Sequence, residues 1–398
     1  ARDVAIYLGH IHKAKTLLGT ATPSVESYSH ALQKKFGLVE MKERFFKAPL
    51  PEIEIADLRA DKKRKTAHGE FTSTLIDALK ETLEKKEQAI IFQNRRGYSN
   101  YITCDDCGHI SECPHCAVSL TYHQYKNQLN CHYCGHKQPV PMVCPACGST
   151  KIQTIGIGTE KIEEELKLIL PEARIQRMDL ETTRAKYAYQ NIINDFDKGN
   201  VDILIGTQMV SKGLDFDRVS LVGVFDIDRM MHFPDFRALE RTFQLVTQVS
   251  GRAGRRDTKG RVIVQTKDAE NKFLELIKNH DFLSFYHFEM QEREKYHYPP
   301  FTRMIHLLVR SKDKKITREA ANQLSELLKK ELGQPRVLGP QEPLINKIRD
   351  KYLMDVFLKF ERKYNTAAVK EVVDKAKLSL ITNKDLKGIE IIADVDPY

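Results

Sequence analysis

All eight cysteines of this chain fall between Cys104 and Cys147, as four Cys-x2-Cys pairs: 104/107, 113/116, 131/134 and 144/147. Two residues between thiolates let a tight turn aim both sulfurs at one ion. Gly108, Gly135 and Gly148 each follow the second cysteine of a pair, where a residue free to take positive φ relaxes the turn. Dispersed structural disulfides would not cluster in this way. No charged segment leading into an apolar leader stretch occurs, so metal ligation in a reducing compartment is expected.

Eight thiolates make two tetrahedral sites of four. Between pairs two and three, residues 117–130 alternate in polarity (Val118, Leu120, Tyr122, then Leu129), the pattern of a zinc-ribbon hairpin. Those pairs should meet. Only residues 108–112 separate pairs one and two, which leaves a shared site cramped. The expected order is therefore nested: Cys113, Cys116, Cys131 and Cys134 form an inner site, and Cys104, Cys107, Cys144 and Cys147 an outer one. Two Zn²⁺ are the expected ions, with an iron–sulfur cluster as the alternative. Binding at such sites supplies about 10–16 kcal/mol of folding free energy, so the metal at least folds the module. His109, His115, His132 and His136 are left as solvent-facing polar residues.

Around this block the chain alternates strands and helices. A helix is expected over Arg2–Lys13, an apolar strand around Thr16–Gly19, and a second helix from Ser24. Residues 57–70 are polar and Lys-rich and suggest a linker. The pattern predicts a helix over Phe71–Lys86 and strands at Ala89–Phe92, Lys151–Ile157, Ala173–Met178, Asp202–Gly206, Val219–Phe225 and Arg261–Thr266. Helices at Glu160–Leu170, Arg184–Lys198 and Phe236–Ser250 lie between them. Strands alternating with helices imply a parallel sheet covered on both faces, so the cysteine block is an insertion into one α/β domain. A helical stretch covers 271–295. Beyond Tyr298-Pro299-Pro300 the order becomes strand–helix–strand–strand–helix–strand, a ferredoxin-like α+β arrangement.

The chain has 398 residues, more than one domain usually holds, with 41% hydrophobic residues and a net charge of +9. The excess charge favours a polyanionic partner without establishing one. No apolar run is long enough to span a membrane.

Two segments carry motor chemistry. Ile205 to Asp215 (IGTQMVSKGLD) lies just past a strand's C-terminal end, where α/β sheets bind ligands. Gln248 to Arg256 (QVSGRAGRR) ends a helix and sets Arg252 and Arg255 three apart among small residues. An arginine delivered to a neighbouring domain's nucleotide acts as an arginine finger, worth about 10³–10⁵ in rate. The plain alternative is surface ion pairing. Leu18-Gly19-Thr20-Ala21-Thr22-Pro23-Ser24 is weaker alone, since Ser24 also suits a helix N-cap.

Together with IIFQNRRGY, the eight-cysteine insertion, GIGTEKIEEEL, DFRALERTFQLVTQVSGRAGR, YPPF and VLGPQEPLINKIRDKY, these segments resemble the superfamily 2 helicases. Within them, they are similar to the primosomal protein N′ family of replication-restart helicases. The resemblance runs from about Arg2 to the end. It implies RecA-like helicase lobes: residues 1–56 as the end of lobe one, a linker at 57–70, and lobe two over 71–100 and 151–290. The zinc insertion would occupy 101–150 and the C-terminal domain 291–398.

The resemblance further implies a DNA-dependent ATPase using ATP with Mg²⁺, moving 3′ to 5′ at stalled forks. It would work with single-stranded DNA-binding protein and primosome proteins in a bacterial-type cytoplasm. By that match Arg252 and Arg255 would reach the γ-phosphate, and Gln248 and Asp215 would couple nucleotide state to the lobes. Gly213 would join Asp215 and the arginines on the nucleotide side. Thr207 and Gln208 would touch the DNA backbone, with the Gly156–Glu160 loop on the same path. No G-x-x-x-x-G-K-[ST] segment and no strand-end Asp-Glu pair ahead of Thr20 occur in these residues. The chain by itself is therefore expected not to hydrolyse ATP.

Tyr122, Tyr125 and Tyr133, beside Lys126 and Lys137, either stack on unpaired bases or pack on the ribbon. Lys347, Arg349 and Lys351, in a loop before a strand, are candidate phosphate contacts or simply a solvated loop. Two other readings fit the same residues: a different superfamily 2 translocase with a zinc module, and a non-enzymatic zinc-ribbon nucleic-acid-binding protein.

Overall fold

The computed structural model describes residues 2–41, 50–94, 101–116, 118–123, 127–154, 159–179, 182–211, 216–254 and 260–397. The chain divides into two compact units, Ala1–Glu40 and Met41–Tyr398.

In the first unit, helices span Arg2–Ile11 and Val25–Leu32. Ser24 caps the second by accepting from Ser27 N at 3.2 Å, as its place before an apolar-periodic run suggests. Arg2 Nη1 donates to Ser27 Oγ at 3.1 Å, tying the first helix to the start of the second. The expected apolar strand near Leu17 does not form, and Leu17 is 95% exposed. An extended segment needs ladder partners to satisfy its backbone, and no described strand pairs with it.

The second unit is built on a six-stranded sheet in which every pairing is parallel. Across the sheet the strands run Glu52–Asp57, Arg261–Thr266, Val219–Phe225, Gln88–Gln93, Ile203–Gly206 and Ile175–Met178. Ile90, Ile91, Leu204, Val222 and Val264 at its centre are fully buried, as expected where both faces are covered.

Two expectations for this region change. Glu52–Asp57 does not end a first lobe. It is an edge strand of this sheet, with Ile53 opposite Val262 and Ile55 opposite Val264. Arg261 reaches Glu54 at 2.8 Å along that edge. The segment expected as a linker is also ordered. Asp57 caps the helix Leu58–Arg64, accepting from Arg59 N and Ala60 N at 2.8 and 3.0 Å. Asp61 on that helix accepts from Ser73 N at 2.7 Å, and this joins it to the N-terminus of helix Ser73–Glu84. The lysines that suggested a linker lie along the helix's outer side, while Leu58 and Asp61 are buried.

The strand expected at Lys151–Ile157 is Ile152–Thr154, and it is not in the parallel sheet. It pairs antiparallel with Ile102–Cys104, with Cys104 opposite Ile152. The two make the stem of the cysteine insertion, whose ends must meet where it leaves and rejoins the lobe. The helical stretch 271–295 is two helices, Lys272–Lys278 and Phe282–Lys295, broken where His280 takes φ +52°.

The C-terminal part forms an antiparallel sheet ordered Val337–Gln341, Lys351–Glu361, Thr302–Ser311, Glu390–Val395. Helices Lys314–Leu332 and Thr366–Ile381 pack together on it around Leu307, Val309, Leu324, Leu328, Val356 and Leu358. This is the ferredoxin-like order expected from the sequence.

Candidate metal centre and motor motifs

The four Cys-x2-Cys segments fold as knuckles. In three of them the glycine after the second cysteine donates its N–H back to the first: Gly108 to Cys104 O at 2.8 Å, Gly135 to Cys131 O at 3.1 Å, and Gly148 to Cys144 O at 2.8 Å. Their φ values of +75°, +77° and +75° explain why glycine stands there. A second rung closes each turn, from Cys104 N to His109 O, Cys131 N to His136 O and Cys144 N to Ser149 O.

The knuckles meet in the nested order. Cys113, Cys116, Cys131 and Cys134 form one group and Cys104, Cys107, Cys144 and Cys147 the other, with sulfurs within 4.8 Å of one another in each. Measured Sγ···Sγ separations are 3.6 Å for 104/147, 3.5 Å for 107/144 and 3.6 Å for 113/134. Tetrahedral zinc with Zn–S bonds of about 2.3 Å sets its sulfurs about 3.8 Å apart. The sulfurs therefore sit almost where a zinc ion would hold them. Without a cation such crowding resists ionisation. In the inner site Cys116 and Cys131 are pushed far up, in each case first by Cys113, while Cys113 and Cys134 are pushed down, so the sulfurs do not ionise together. A divalent cation lets all four ionise together.

The two sites differ in setting. The outer one is near the surface, with Cys147 exposed. The inner one is part of a hydrophobic cluster that joins Val118, Leu120, Leu129 and Tyr133 of the ribbon to Tyr298 and Met304 of the C-terminal part. Tyr298 donates its hydroxyl to Cys116 O at 2.8 Å. Tyr133 is buried, 5.0 Å from the Phe357 ring and 6.2 Å from Tyr298, so it packs rather than offering a base platform. Tyr122 is partly buried and donates to Asn127 Oδ1, while Tyr125 and Lys126 lie outside the described residues.

His132 corrects a further expectation. It is 7% exposed and not solvent-facing, and its Nδ1–H donates to Glu342 O at 2.7 Å. Burial pushes its pKa down. His115 is exposed, as expected, and His109 and His136 are partly so.

The sequence did not disclose what ties the helix Phe282–Lys295 to the lobe helix Ala238–Ser250. Arg293 bonds Glu240 at 2.6 Å and Glu289 at 2.9 Å, and all three side chains are almost fully buried. Arg293 also donates to Pro299 O at 3.1 Å. The only hint was charged residues at i, i+4 spacing, Glu289 and Arg293, on a helix that otherwise looked solvated.

The motor motifs fall on the lobe as their spacing suggested. Thr207 directly follows the strand Ile203–Gly206, and the short helix Gln208–Ser211 packs against helix Ala238–Ser250. Gln248 is exposed on the last turn of that long helix. Arg252 follows in a turn held by Arg252 N to Val249 O at 2.9 Å and Gly254 N to Val219 O at 3.1 Å. Gly213, Asp215 and Arg255 lie outside the described residues, as do the Gln208 side chain and residues 155–158 of the Gly156–Glu160 loop.

Lys347, Arg349 and Lys351 are not in an open loop. Lys347–Ile348 pairs with Lys351–Tyr352 in a hairpin whose tip residues, Arg349 and Asp350, take φ +48° and +60°. Lys347 pairs with Asp350 at 3.1 Å, Lys351 pairs with Glu390, and Arg349 is exposed at the tip.

A parallel lobe carrying these motifs, interrupted by a two-site cysteine module, defines the second motor domain of a superfamily 2 helicase. Family models agree in order along the chain. Residues 113–139 match the PriA DNA helicase Cys-rich region, 149–257 the helicase conserved C-terminal domain, and 294–398 the primosomal protein N C-terminal domain. The chain belongs to the replication restart protein PriA family. It is 40% identical over 400 residues to the replication restart protein PriA of Bacillus subtilis, covering 100% of this chain and 49% of that protein. With the protein of the same name from Chlamydia pneumoniae the identity is 36%, over 100% of this chain and 53% of the relative. With that from Treponema pallidum it is 35%, over 100% and 59%. The chain thus spans about half the length of the curated relatives it matches. Among the described residues no helix is long and apolar enough to cross a membrane.

Proposed function

We propose that this chain is the zinc-bearing second motor lobe and C-terminal domain of an ATP-dependent DNA helicase that restarts replication at stalled forks, moving 3′ to 5′. The observation that carries the reading is the coupling of two features on one sheet. The short helix Gln208–Ser211, just past Thr207, packs against the helix Ala238–Ser250 that leads to Arg252. The twin four-cysteine module grows from the same lobe.

In this reading Thr207 and Gln208 track the DNA backbone, while Gln248, Gly213 and Asp215 sense nucleotide. Arg252 and Arg255 stabilise charge on the γ-phosphate of an ATP–Mg²⁺ held by a phosphate loop that is not among these residues. The 398 residues alone then do not hydrolyse ATP. The zinc ions have a structural role, fixing a rigid wedge at the point where strands part. Arg349, at its hairpin tip, is a better phosphate contact than Lys347 or Lys351, whose charges meet carboxylates. Partners would be forked DNA, single-stranded DNA-binding protein and primosome proteins.

The test is strand displacement by the full-length protein on forks with a single-stranded arm of either polarity. Unwinding that needs ATP and follows the 3′-to-5′ sense supports the proposal. The opposite polarity, or no displacement by zinc-replete protein, rejects it.

A further inference from the structure

The zinc ribbon has two unlike faces. Its strands are Thr121–His123, Gln128–Asn130 and Lys137–Pro139. Register sets Thr121 opposite Asn130, and Asn130 opposite Lys137, so these three side chains form one row across the ribbon. Leu129, of opposite parity, is buried in the hydrophobic cluster around the inner cysteines. The polar row looks instead toward the C-terminal domain. A cavity of about 240 Å³ lies there, lined by His123, Asn130, Lys137, Arg318, Gln341 and Glu342.

The wall at Asn130 and its neighbours in the ribbon hold unspent hydrogen-bonding capacity. Asn130 is 3% exposed, and its Oδ1 has no hydrogen-bond partner among the described residues. The same holds for Thr121 Oγ1 in the same row and for His132 Nε2 two residues along. Native proteins seldom bury such atoms without a partner, and a specific unfilled acceptor is a place to look for a ligand. The mouth is cationic. Lys137 is exposed there, and Arg318, half-exposed, holds Glu342 at 2.7 Å and so cancels the one carboxylate in the lining. An occupant must therefore bring an N–H donor to the wall and negative charge to the rim.

We propose that this cavity receives one nucleotide of a single DNA strand, its phosphate on Lys137 and its base amino group on Asn130 Oδ1. This deepens the helicase reading above and rests on it. Phosphate contacts by lysine and arginine position a strand, and a fixed amide acceptor distinguishes a base that carries an amino group. Cytosine carries one; thymine presents a carbonyl in the same place.

The test uses the zinc-loaded chain and fluorescence anisotropy with dC12 and dT12, two pyrimidine strands of similar stacking. The wild-type chain should bind dC12 about 5- to 10-fold more tightly than dT12. Asn130→Leu should abolish that preference. Lys137→Ala should weaken both strands and lower the salt dependence by about 0.7 of a log unit per log unit of salt. This side chain is exposed at the rim, so the variant tests the site even where Asn130→Leu folds poorly, which zinc content would reveal. Equal binding of dC12 and dT12, or no effect of Lys137→Ala, overturns the cavity proposal and leaves DNA binding standing. Absence of any DNA binding by this chain overturns the cavity proposal alone, because the helicase reading is decided by strand displacement with the full-length protein. A crystal structure with dC12 that shows only ordered water at Asn130 also overturns the cavity proposal.

Discussion

The rings of Phe236 and Tyr298 lie face to face, with centroids 4.3 Å apart and planes 1° from parallel. Arg237 lies 4.2 Å over the first ring and Lys359 3.6 Å over the second. Phe236 leads into the helix that ends near Arg252, and Tyr298 leads into the first strand of the C-terminal domain while its hydroxyl reaches Cys116. One stack therefore joins motor lobe, inner zinc site and C-terminal domain. Phe236→Ala should cost about 3 kcal/mol, from lost packing and lost ring contact. Denaturant unfolding should record that loss, with hydrogen exchange rising first at residues 296–302. A change under 1 kcal/mol would mean that the stack is incidental.

Beneath the stack, Arg293 neutralises two buried carboxylates. Arg293→Met removes the guanidinium that Glu240 and Glu289 share and should cost about 3–5 kcal/mol near neutral pH. The triple variant Arg293→Met, Glu240→Gln, Glu289→Gln should recover most of the loss, as measured by thermal melts.

The two metal sites should not be equivalent. Cys131 is fully buried in the cluster shared with Tyr298, whereas Cys147 is exposed. Cys147→Ser should release one zinc and leave the C-terminal domain packed. Cys131→Ser should also release one zinc, but with it the protection of Tyr298 and Phe357. Metal content and near-ultraviolet circular dichroism of the two variants distinguish these outcomes. Equal spectral loss would show that the inner site does not buttress the domain.

Asp226 ends the strand Val219–Phe225 with φ +56°. Burial, and then the charge of Asp228, raise its carboxyl to about 6. A folded-state value above the unfolded one means that the stabilising contribution is full below about pH 4 and lost as pH rises through 6. Asp226→Asn should therefore gain up to about 3 kcal/mol at pH 7.5 and nothing near pH 4. Asparagine also accepts the left-handed backbone. Melting the pair at both pH values checks this, and a gain at pH 4 as large as at pH 7.5 would rule out the titration.

What the sequence disclosed and what it hid follow from distance along the chain. The nested cysteine order was legible because spacing alone limits which knuckles can face each other. The ferredoxin-like order was legible because each element carries its own periodicity, and Ser24 was recognisable as a cap from its neighbours alone. The edge strand Glu52–Asp57 was not legible: its partner begins at Arg261, and two glutamates in six residues look solvated. The stem strand Ile152–Thr154 has the apolar character of a sheet strand, and only its antiparallel partner shows that it belongs to the insertion. Thr207 past a strand end and Gln248 on the last turn of a helix were legible from local pattern alone. The Phe236–Tyr298 stack and the Glu240–Arg293–Glu289 triad join positions up to 62 residues apart (298 − 236) that no local pattern links.

The central claim is that Arg252 completes a nucleotide site on the motor. The most direct measurement is DNA-stimulated ATP turnover by the full-length protein carrying Arg252→Ala, alongside fork affinity and zinc content. The account predicts a fall in kcat of about 10³ or more with fork binding and both zinc ions retained. Turnover within a factor of two of the unmodified protein would contradict it.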